Sequence, residues 1–250
     1  MLDSQLQKPE SIAAELLSLL QKYSINEKGD IIVGPEGIEI AIVSLTNLED
    51  GILLQTHQAK DSNLSNASIH AFPSEKISRT DIENVLKYFN AASIVDITPE
   101  EFLRSLCVFT FIRCIEEEHG ISFTHLDIKS LRISFGSLFL NSYSNSSMKT
   151  VKKYLLHIYV ELDDLNTDTL AGSREDGELK HWENVNGTSD QEIIARVTQY
   201  LRASDTIGNR PPQKSDHQLA LLREMLTQEE KELIIINTKP YLEIMHGAEV

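Results

Sequence analysis

Apolar residues recur at helical spacing in several parts of the chain. The run from Pro9 to about Ser24 repeats every three or four residues, which predicts an amphipathic helix. Thr98-Pro99-Glu100-Glu101 has the sequence of a capping box with proline in the first turn, and it predicts a helix that ends at Gly120. Because this helix is apolar nearly all round between residues 102 and 115, we expect it to lie in the middle of the fold. Further helices are predicted behind Ser78 or Thr80, behind Ser189 and behind Ser215.

Other segments alternate with a period of two, which is typical of strands. Ile38, Ile40 and Ile42 alternate with Glu39 and Ala41, which predicts a strand. Residues 30–33 and 52–57 are predicted as two further strands, and the short connections between the three predict antiparallel pairing. Residues 130–135 and 154–162 alternate in the same way. The second of these runs also fits a helix, but a strand is favoured because Leu156 and Val160 would fall on the wrong helix face.

The order of these elements indicates an α+β fold. We expect an antiparallel sheet of about five strands packed by helices, with a helical C-terminal region. Two polar stretches, 59–79 and 163–188, lack apolar periodicity and are predicted to be loops. The organisation that follows is an α+β domain over residues 1–162, an acidic loop or linker over 163–189 and a helical region over 190–250.

Length and composition are those of an ordinary globular protein. The chain has 250 residues, a length that can bury a core without disulfides or metals. No apolar run approaches 18 residues, and the first residues lack the features of a secretory signal. Cys107 and Cys114 lie seven residues apart on one predicted helix face, about 10 Å from each other, which is too far for a disulfide. Reduced, buried thiols predict a cytoplasmic protein. The missing apolar run and the acidic net charge predict that it does not contact membranes.

The charge is unevenly distributed. The net charge is −15, yet residues 121–160 carry five basic and one acidic side chain. Lys149, Lys152, Lys153 and Arg132 are interleaved with aromatic residues there, a pattern that would suit single-stranded nucleic acid. The alternatives are that the lysines face water while the aromatic rings face the core, or that this segment docks against the acidic stretch behind it. Nucleic acid is therefore a possible but not a favoured partner.

Common catalytic signatures are absent from the sequence. It contains no G-x-G-x-x-G, G-K-[ST], H-E-x-x-H, C-x-x-C or G-x-S-x-G motif, so no cofactor is predicted. Glu116-Glu117-Glu118-His119 closes the long predicted helix, where carboxylates oppose the helix dipole. With His125 these residues could hold a metal, although a solvated helix end is the simpler interpretation. Asp164–Glu175 has the spacing of a calcium loop but carries Thr169 where that loop needs glycine, so no metal site is predicted.

One helix followed by three antiparallel strands, within residues 9–58, resembles the opening of the acidic class I type III secretion chaperones. The later order of two strands and a helix is similar to that family too. The helices at 80–119 and the residues beyond 163 have no counterpart there.

The leading hypothesis is a non-enzymatic interaction protein, adaptor- or chaperone-like, that holds another polypeptide or assembles with itself as an oligomer. The absence of catalytic signatures favours this hypothesis. The amphipathic helices and an exposed sheet edge, which could hold a partner, favour it as well. The residues predicted to contact the partner are Ile38, Ile40, Ile42, Leu219 and Leu222. The first alternative is a nucleic-acid-coating or viral structural protein that uses the 121–160 segment. The second is an enzyme of unmarked type, with candidate residues His57, His119, His125, Glu116, Glu117 and Glu118.

Overall fold

The computed structural model describes residues 8–48, 51–58, 68–119, 123, 128–144, 150–162, 173–175, 178–207, 213–227 and 233–247. In this part of the chain the helices are α1 (Pro9–Leu20), α2 (Arg79–Phe89), α3 (Pro99–His119), α4 (Asp190–Ile207), α5 (Gln213–Thr227) and α6 (Lys239–His246). The strands are β1 (Tyr23–Ile25), β2 (Ile31–Val33), β3 (Ile38–Leu48), β4 (Gly51–Gln58), β5 (Ser68–Ala71), β6 (Ser74–Lys76), β7 (Ser130–Ser144), β8 (Thr150–Glu161), β9 (Ser173–Glu175), β10 (Glu178–Asn186) and β11 (Ile234–Asn237).

All the described strands belong to one sheet, organised around β3. Along one edge β3 pairs in parallel with β8 over residues 39–47. Along its other edge it pairs in turn with β2, β6 and β4, all antiparallel. The α+β class is confirmed, but the expected antiparallel sheet of about five strands is wrong, because the sheet has 11 strands and is mixed. The parallel pair needs a long crossover between β3 and β8, a relation that local patterning does not reveal.

The two faces of the sheet carry separate apolar cores. Side chains alternate along β3, so Ile40 and Ile42 enter the first core while Val43 and Leu45 enter the second. Helices α1, α2, α3 and α6 contribute to the first core, and α4 and α5 to the second. β3 is buried over most of its length, because each of its two faces packs against one of these cores.

Several helix predictions are confirmed in position. Pro9 lies in the first turn of α1, and the Ser78 side chain caps α2 in a capping box with Asp81. Helix α3 is buried along most of its length, and Cys107 and Cys114 within it are free and buried. Burial raises the pKa of the Cys107 thiol. Among the described residues no helix is both long and apolar enough to cross a membrane.

Strands occupy parts of both stretches that were expected to be loops. β5 and β6 lie within residues 59–79, and β9 and β10 lie within residues 163–188. β10 pairs with β4 over seven residues, from Gly51 to His57, and so extends the sheet. The prediction of a strand over residues 154–162 is confirmed by β8. The strands in these two polar stretches are held by backbone hydrogen bonds to their partner strands. Pairing of this kind does not require apolar side chains, so the sequence shows little apolar periodicity there.

Candidate active site

The C-terminal half of α3 carries an arginine that is surrounded by carboxylates. Arg113 Nε donates to Asp81 Oδ1 at 3.0 Å and Arg113 Nη2 to Asp81 Oδ2 at 2.9 Å. Arg113 Nη1 donates to Glu117 Oε2 at 2.9 Å and lies 3.5 Å from Glu75 Oε1. Arg113 Nη2 also donates to the backbone carbonyl of Lys76. We call Arg113, Glu75, Asp81 and Glu117 the Arg113 cluster; it joins α3 to α2 and to β6.

Asp81 fixes the geometry of this cluster. Its side chain is 1% exposed, and its Oδ2 accepts from the backbone N–H and the hydroxyl of Ser78 at 2.8 and 3.0 Å. One carboxylate therefore caps α2 and also binds Arg113 through two parallel hydrogen bonds. Burial alone would lower the pKa of Arg113, but the bond to Asp81 and the neighbouring carboxylates raise it. The guanidinium is thus a permanent, oriented cation.

Glu75 lies at the edge of the same cluster and faces a small cleft. Its Oε1 accepts from the backbone N–H of Lys76 at 2.9 Å. Burial raises the pKa of the Glu75 carboxyl, and the nearby Glu117 and Asp81 raise it further, while the Arg113 charge opposes this effect. A carboxyl with a raised pKa binds a proton more readily than an ordinary glutamate does, which is the property of a general base that works near neutral pH.

The cleft lies between α3 and strands β3 and β6, and we call it the α3 cleft. Its polar lining comes from Ser44, Glu75, Thr110 and Cys114. The Thr110 hydroxyl is fully buried and has no hydrogen-bond partner in the described structure. The space measures about 10 Å³, close to what one water molecule needs. Buried unpaired hydroxyls are uncommon, so the cleft is suited to hold a single water between Thr110 and Glu75.

The structure describes only two of the glutamates predicted at the end of α3 with their side chains. Glu117 belongs to the Arg113 cluster. Glu116 accepts from the backbone N–H of Phe123 at 2.6 Å and lies 3.0 Å from His246 Nε2. Both glutamates therefore have partners that offset the unfavourable helix dipole. The side chains of His57, Glu118 and His119, and all of His125, lie outside the described residues.

Most other residues predicted as sites have structural partners. Ile40, Ile42, Leu219 and Leu222 are buried in the two cores, and Ile38 is half-buried. β3 is paired along both edges, so Ile38–Ile42 is not an open sheet edge. Ion pairs join Lys152 to Glu36, Lys153 to Glu39 and Arg132 to Glu161 at 2.8, 2.9 and 3.1 Å.

Lys149 and most of the candidate calcium loop, Asp164–Glu175, lie outside the described residues. Within the described part of the chain, no group of three or more His, Cys, Asp or Glu side chains is arranged to hold a metal ion.

Sequence reasoning missed Glu75, Asp81 and Thr110. Glu75 lies in a stretch expected to be a loop, and Thr110 is one polar residue inside an apolar helix. Only Asp81 had a signal, because Ser78 and Asp81 have the spacing of a capping box. Their meeting with Arg113, 32 residues along the chain from Asp81, depends on how α2 packs against α3.

Comparison with solved structures finds hydrolases. A Nudix hydrolase from Nitrosomonas europaea is 11% identical, covers 75% of this chain and 89% of its own, and has a TM-score of 0.38. An ADP compounds hydrolase is 13% identical, covers 70% and 80%, and has a TM-score of 0.27. A Nudix hydrolase from M. smegmatis is 13% identical, covers 75% and 97%, and has a TM-score of 0.22. No protein-family model matches the chain, and no curated protein matches it.

These comparisons correct the leading hypothesis from the sequence. The solved structures are hydrolases, so the interpretation as a non-enzymatic, chaperone-like interaction protein is wrong, and so is the expectation that the chain is not an enzyme. The alternative of an enzyme of unmarked type fits better. At identities of 11–13% and TM-scores below 0.5, the similarities do not assign an activity or a substrate to this chain.

Proposed function

We propose that this protein is a hydrolase and that Glu75 is its general base. The observation that carries the proposal is the α3 cleft, where a carboxyl with a raised pKa and an unpaired buried hydroxyl face a space that fits one water. In this proposal Thr110 orients the water. Glu75 accepts a proton from it while the water oxygen forms a bond to the electrophilic atom of the substrate. The leaving group then departs with the electron pair of the broken bond.

Arg113 is a positioning residue in this scheme. Its charge lies 3.5 Å from Glu75 Oε1, and its bonds to Asp81 prevent it from turning away. The positive charge of the guanidinium opposes the burial that raises the pKa of Glu75, and so favours the carboxylate form.

The first experiment is a hydrolysis assay on the purified full-length chain. The substrates are p-nitrophenyl acetate, p-nitrophenyl phosphate, bis(p-nitrophenyl) phosphate and ADP, each tested with and without Mg²⁺. We expect turnover of at least one substrate class. We expect Glu75→Gln to lower kcat by about 100-fold or more, because the amide cannot accept the proton. Absence of turnover above the uncatalysed rate for all four would contradict the proposal.

The matched control is Glu83→Gln, since Glu83 is an exposed carboxylate on α2 that pairs only with Arg79 in the described contacts. It should keep the activity of the unchanged protein. The pH profile gives a second readout. Activity should rise with pH, with a midpoint above the ordinary glutamate value of 4.5, because the base must be deprotonated. A Glu75→Gln variant that keeps both rate and pH profile would remove Glu75 from the mechanism.

A further inference from the structure

Lys76 follows Glu75 on β6, and its side chain lies on the opposite face of the sheet. Side chains alternate along a strand, so Glu75 lines the α3 cleft while Lys76 points away from α3. On that other face Lys76 Nζ donates to Glu39 Oε1 at 2.8 Å and to Asp30 Oδ2 at 3.0 Å. The candidate general base and a lysine held by two carboxylates are thus neighbours in the chain.

The backbone of Lys76 contacts both charged groups of the candidate site. Its N–H donates to Glu75 Oε1 at 2.9 Å, and its carbonyl oxygen accepts from Arg113 Nη2. Glu75 is the carboxylate proposed to accept the proton, and Arg113 is the cation beside it. A shift of the Lys76 backbone would therefore move a hydrogen-bond partner of each of them at once.

Strand β6 is too short to be held firmly by its own backbone pairing. It has three residues, which pair with Ala41, Ile42 and Val43 of β3. Segments with few hydrogen bonds and contacts open locally at a low free energy. The two ion pairs of Lys76 add attachments to β3, through Glu39, and to the residue directly before β2, Asp30.

The partners of the Lys76 ammonium are themselves held in place. Asn26 Nδ2 donates to Asp30 Oδ2 at 3.0 Å, and Lys153 Nζ lies 2.9 Å from Glu39 Oε2. The side chains of Lys76, Asp30 and Glu39 are 29%, 16% and 23% exposed, so this network is better shielded from water than an ordinary surface ion pair. Burial alone would lower the pKa of Lys76, but the hydrogen bonds and charges of Glu39 and Asp30 raise it.

We propose that Lys76 is a positioning residue for Glu75. Its ion pairs anchor β6 from the far side of the sheet, and this anchor keeps the Glu75 carboxyl buried in the α3 cleft beside Arg113. Lys76 does not line the described cleft, so it acts through Glu75 and not on the substrate. The catalytic meaning of this inference rests on the hydrolase proposal, whereas the state of Glu75 can be measured without turnover.

The first test is a pH titration of the Glu75 carboxyl by ¹³C NMR on the purified full chain. In Lys76→Met the midpoint should fall toward the ordinary glutamate value of 4.5, because Glu75 gains contact with water when β6 loosens. Loss of a positive charge alone would raise the midpoint. A midpoint that rises or stays unchanged would therefore overturn the proposal. Lys76→Arg keeps the cation and should restore the midpoint of the unchanged protein.

The second test is kinetic and uses whichever assay substrate the unchanged protein hydrolyses. Lys76→Met should lower kcat by about tenfold or more, because a misplaced base accepts the proton poorly. KM should stay within about twofold, and Lys76→Arg should recover most of kcat. An unchanged kcat in Lys76→Met would overturn the proposal. If the unchanged protein hydrolyses none of the substrates, the hydrolase proposal fails, and the Glu75 titration alone decides the role of Lys76.

A matched control separates positioning from the general loss of an ion pair. Lys152 on β8 pairs with Glu36 at 2.8 Å on the same sheet. Lys152→Met should leave both kcat and the Glu75 midpoint unchanged, and a response equal to that of Lys76→Met would contradict a specific role for Lys76.

Glu39→Gln is a second variant that serves if Lys76→Met does not fold by circular dichroism. It removes one carboxylate from Lys76 and leaves the lysine in place. The backbone N–H of Lys76, which donates to Glu75, should then exchange with deuterium at least about tenfold faster than in the unchanged protein, because β6 opens more often. An unchanged exchange rate would show that these ion pairs do not anchor β6.

Discussion

The two faces of the sheet differ in whether a buried ion pair joins their elements. On the face of α2 and α3, the buried Asp81 has a full set of partners, with Arg113 on one side and Ser78 on the other. On the face of α4, His70 Nδ1 and Thr56 Oγ1 are buried without a hydrogen-bond partner in the described structure, as is Thr110 Oγ1 on the face of α3. A saturated network rigidifies the elements that it joins, whereas unpaired groups keep their hydrogen-bonding capacity for a ligand.

This difference has a consequence for how the candidate active site would work. The Arg113 cluster holds α2, α3 and β6 together, so Glu75 at its edge has a fixed position, as a general base requires. On the other face, a space of about 450 Å³ between β5 and α4 is lined by His70, Arg196, Gln199, Tyr200 and Ala203. We therefore interpret the face of α2 and α3 as the one built for chemistry.

The largest effect is expected from Arg113→Met. The substitution leaves Asp81 as a buried carboxylate without a cation, which costs about 3–5 kcal/mol of unfolding free energy. Urea unfolding followed by circular dichroism measures the loss. The exposed pair Arg79–Glu83 is the control, and Arg79→Met should change the unfolding free energy by less than about 1 kcal/mol. If Arg113→Met also lowers the unfolding free energy by less than about 1 kcal/mol, the Arg113 cluster does not stabilise the packing of α2 and α3.

A smaller loss of unfolding free energy is expected from Gly51→Ala, which lies where β4 pairs with β10. A Cβ at this position would lie 2.5 Å from Asn184 Oδ1 and 2.7 Å from the carbonyl oxygen of Val185, so β10 must move away from β4. Overpacking of this kind costs about 1–3 kcal/mol. The α3 cleft should be unaffected, because none of its lining residues lies on β4 or β10. Unchanged stability in urea unfolding would argue against the close approach of the two strands.

The smallest and most diagnostic effect compares two buried threonines on opposite faces. Thr46 donates its hydroxyl to Ser44 Oγ at 3.4 Å, whereas the Thr56 hydroxyl has no partner in the described structure. We expect Thr46→Val to lower the unfolding free energy by about 1 kcal/mol and Thr56→Val to raise it by a similar amount, because an unpaired buried hydroxyl is costly. Thermal unfolding of both variants without ligand measures the two signs. Equal signs would show that the missing partner of the Thr56 hydroxyl carries no cost.

How far the sequence predicts this fold depends on the kind of signal that each element carries. Helices α1 to α3 have proline or capping residues and apolar periodicity, and the structure places them where the sequence does. β3 and β8 alternate clearly enough to be predicted as strands, but not as parallel partners. β5 and β10 are polar, and their pairing with β4 is set by backbone hydrogen bonds, which leave little trace in side-chain pattern.

The candidate sites were less predictable than the fold. Glu116 and Glu117 stood out because carboxylates at the C-terminal end of a helix oppose the helix dipole. Glu75 and Lys76 had no such signal and lay in a stretch expected to be a loop. Lys76 and Asp30 are 46 residues apart in the chain, so no spacing motif relates them.

The sequence by itself determined the class of protein fold, the long buried helix and its acidic end, because these depend on interactions between residues close in the chain. Tertiary structure alone decided the mixed sheet, the binding of Arg113 to Asp81 and the meeting of His70 with Thr56 and Glu183. Those arrangements join groups from distant segments. Their free energy comes from pairing and burial that exist only after the strands and helices have packed together.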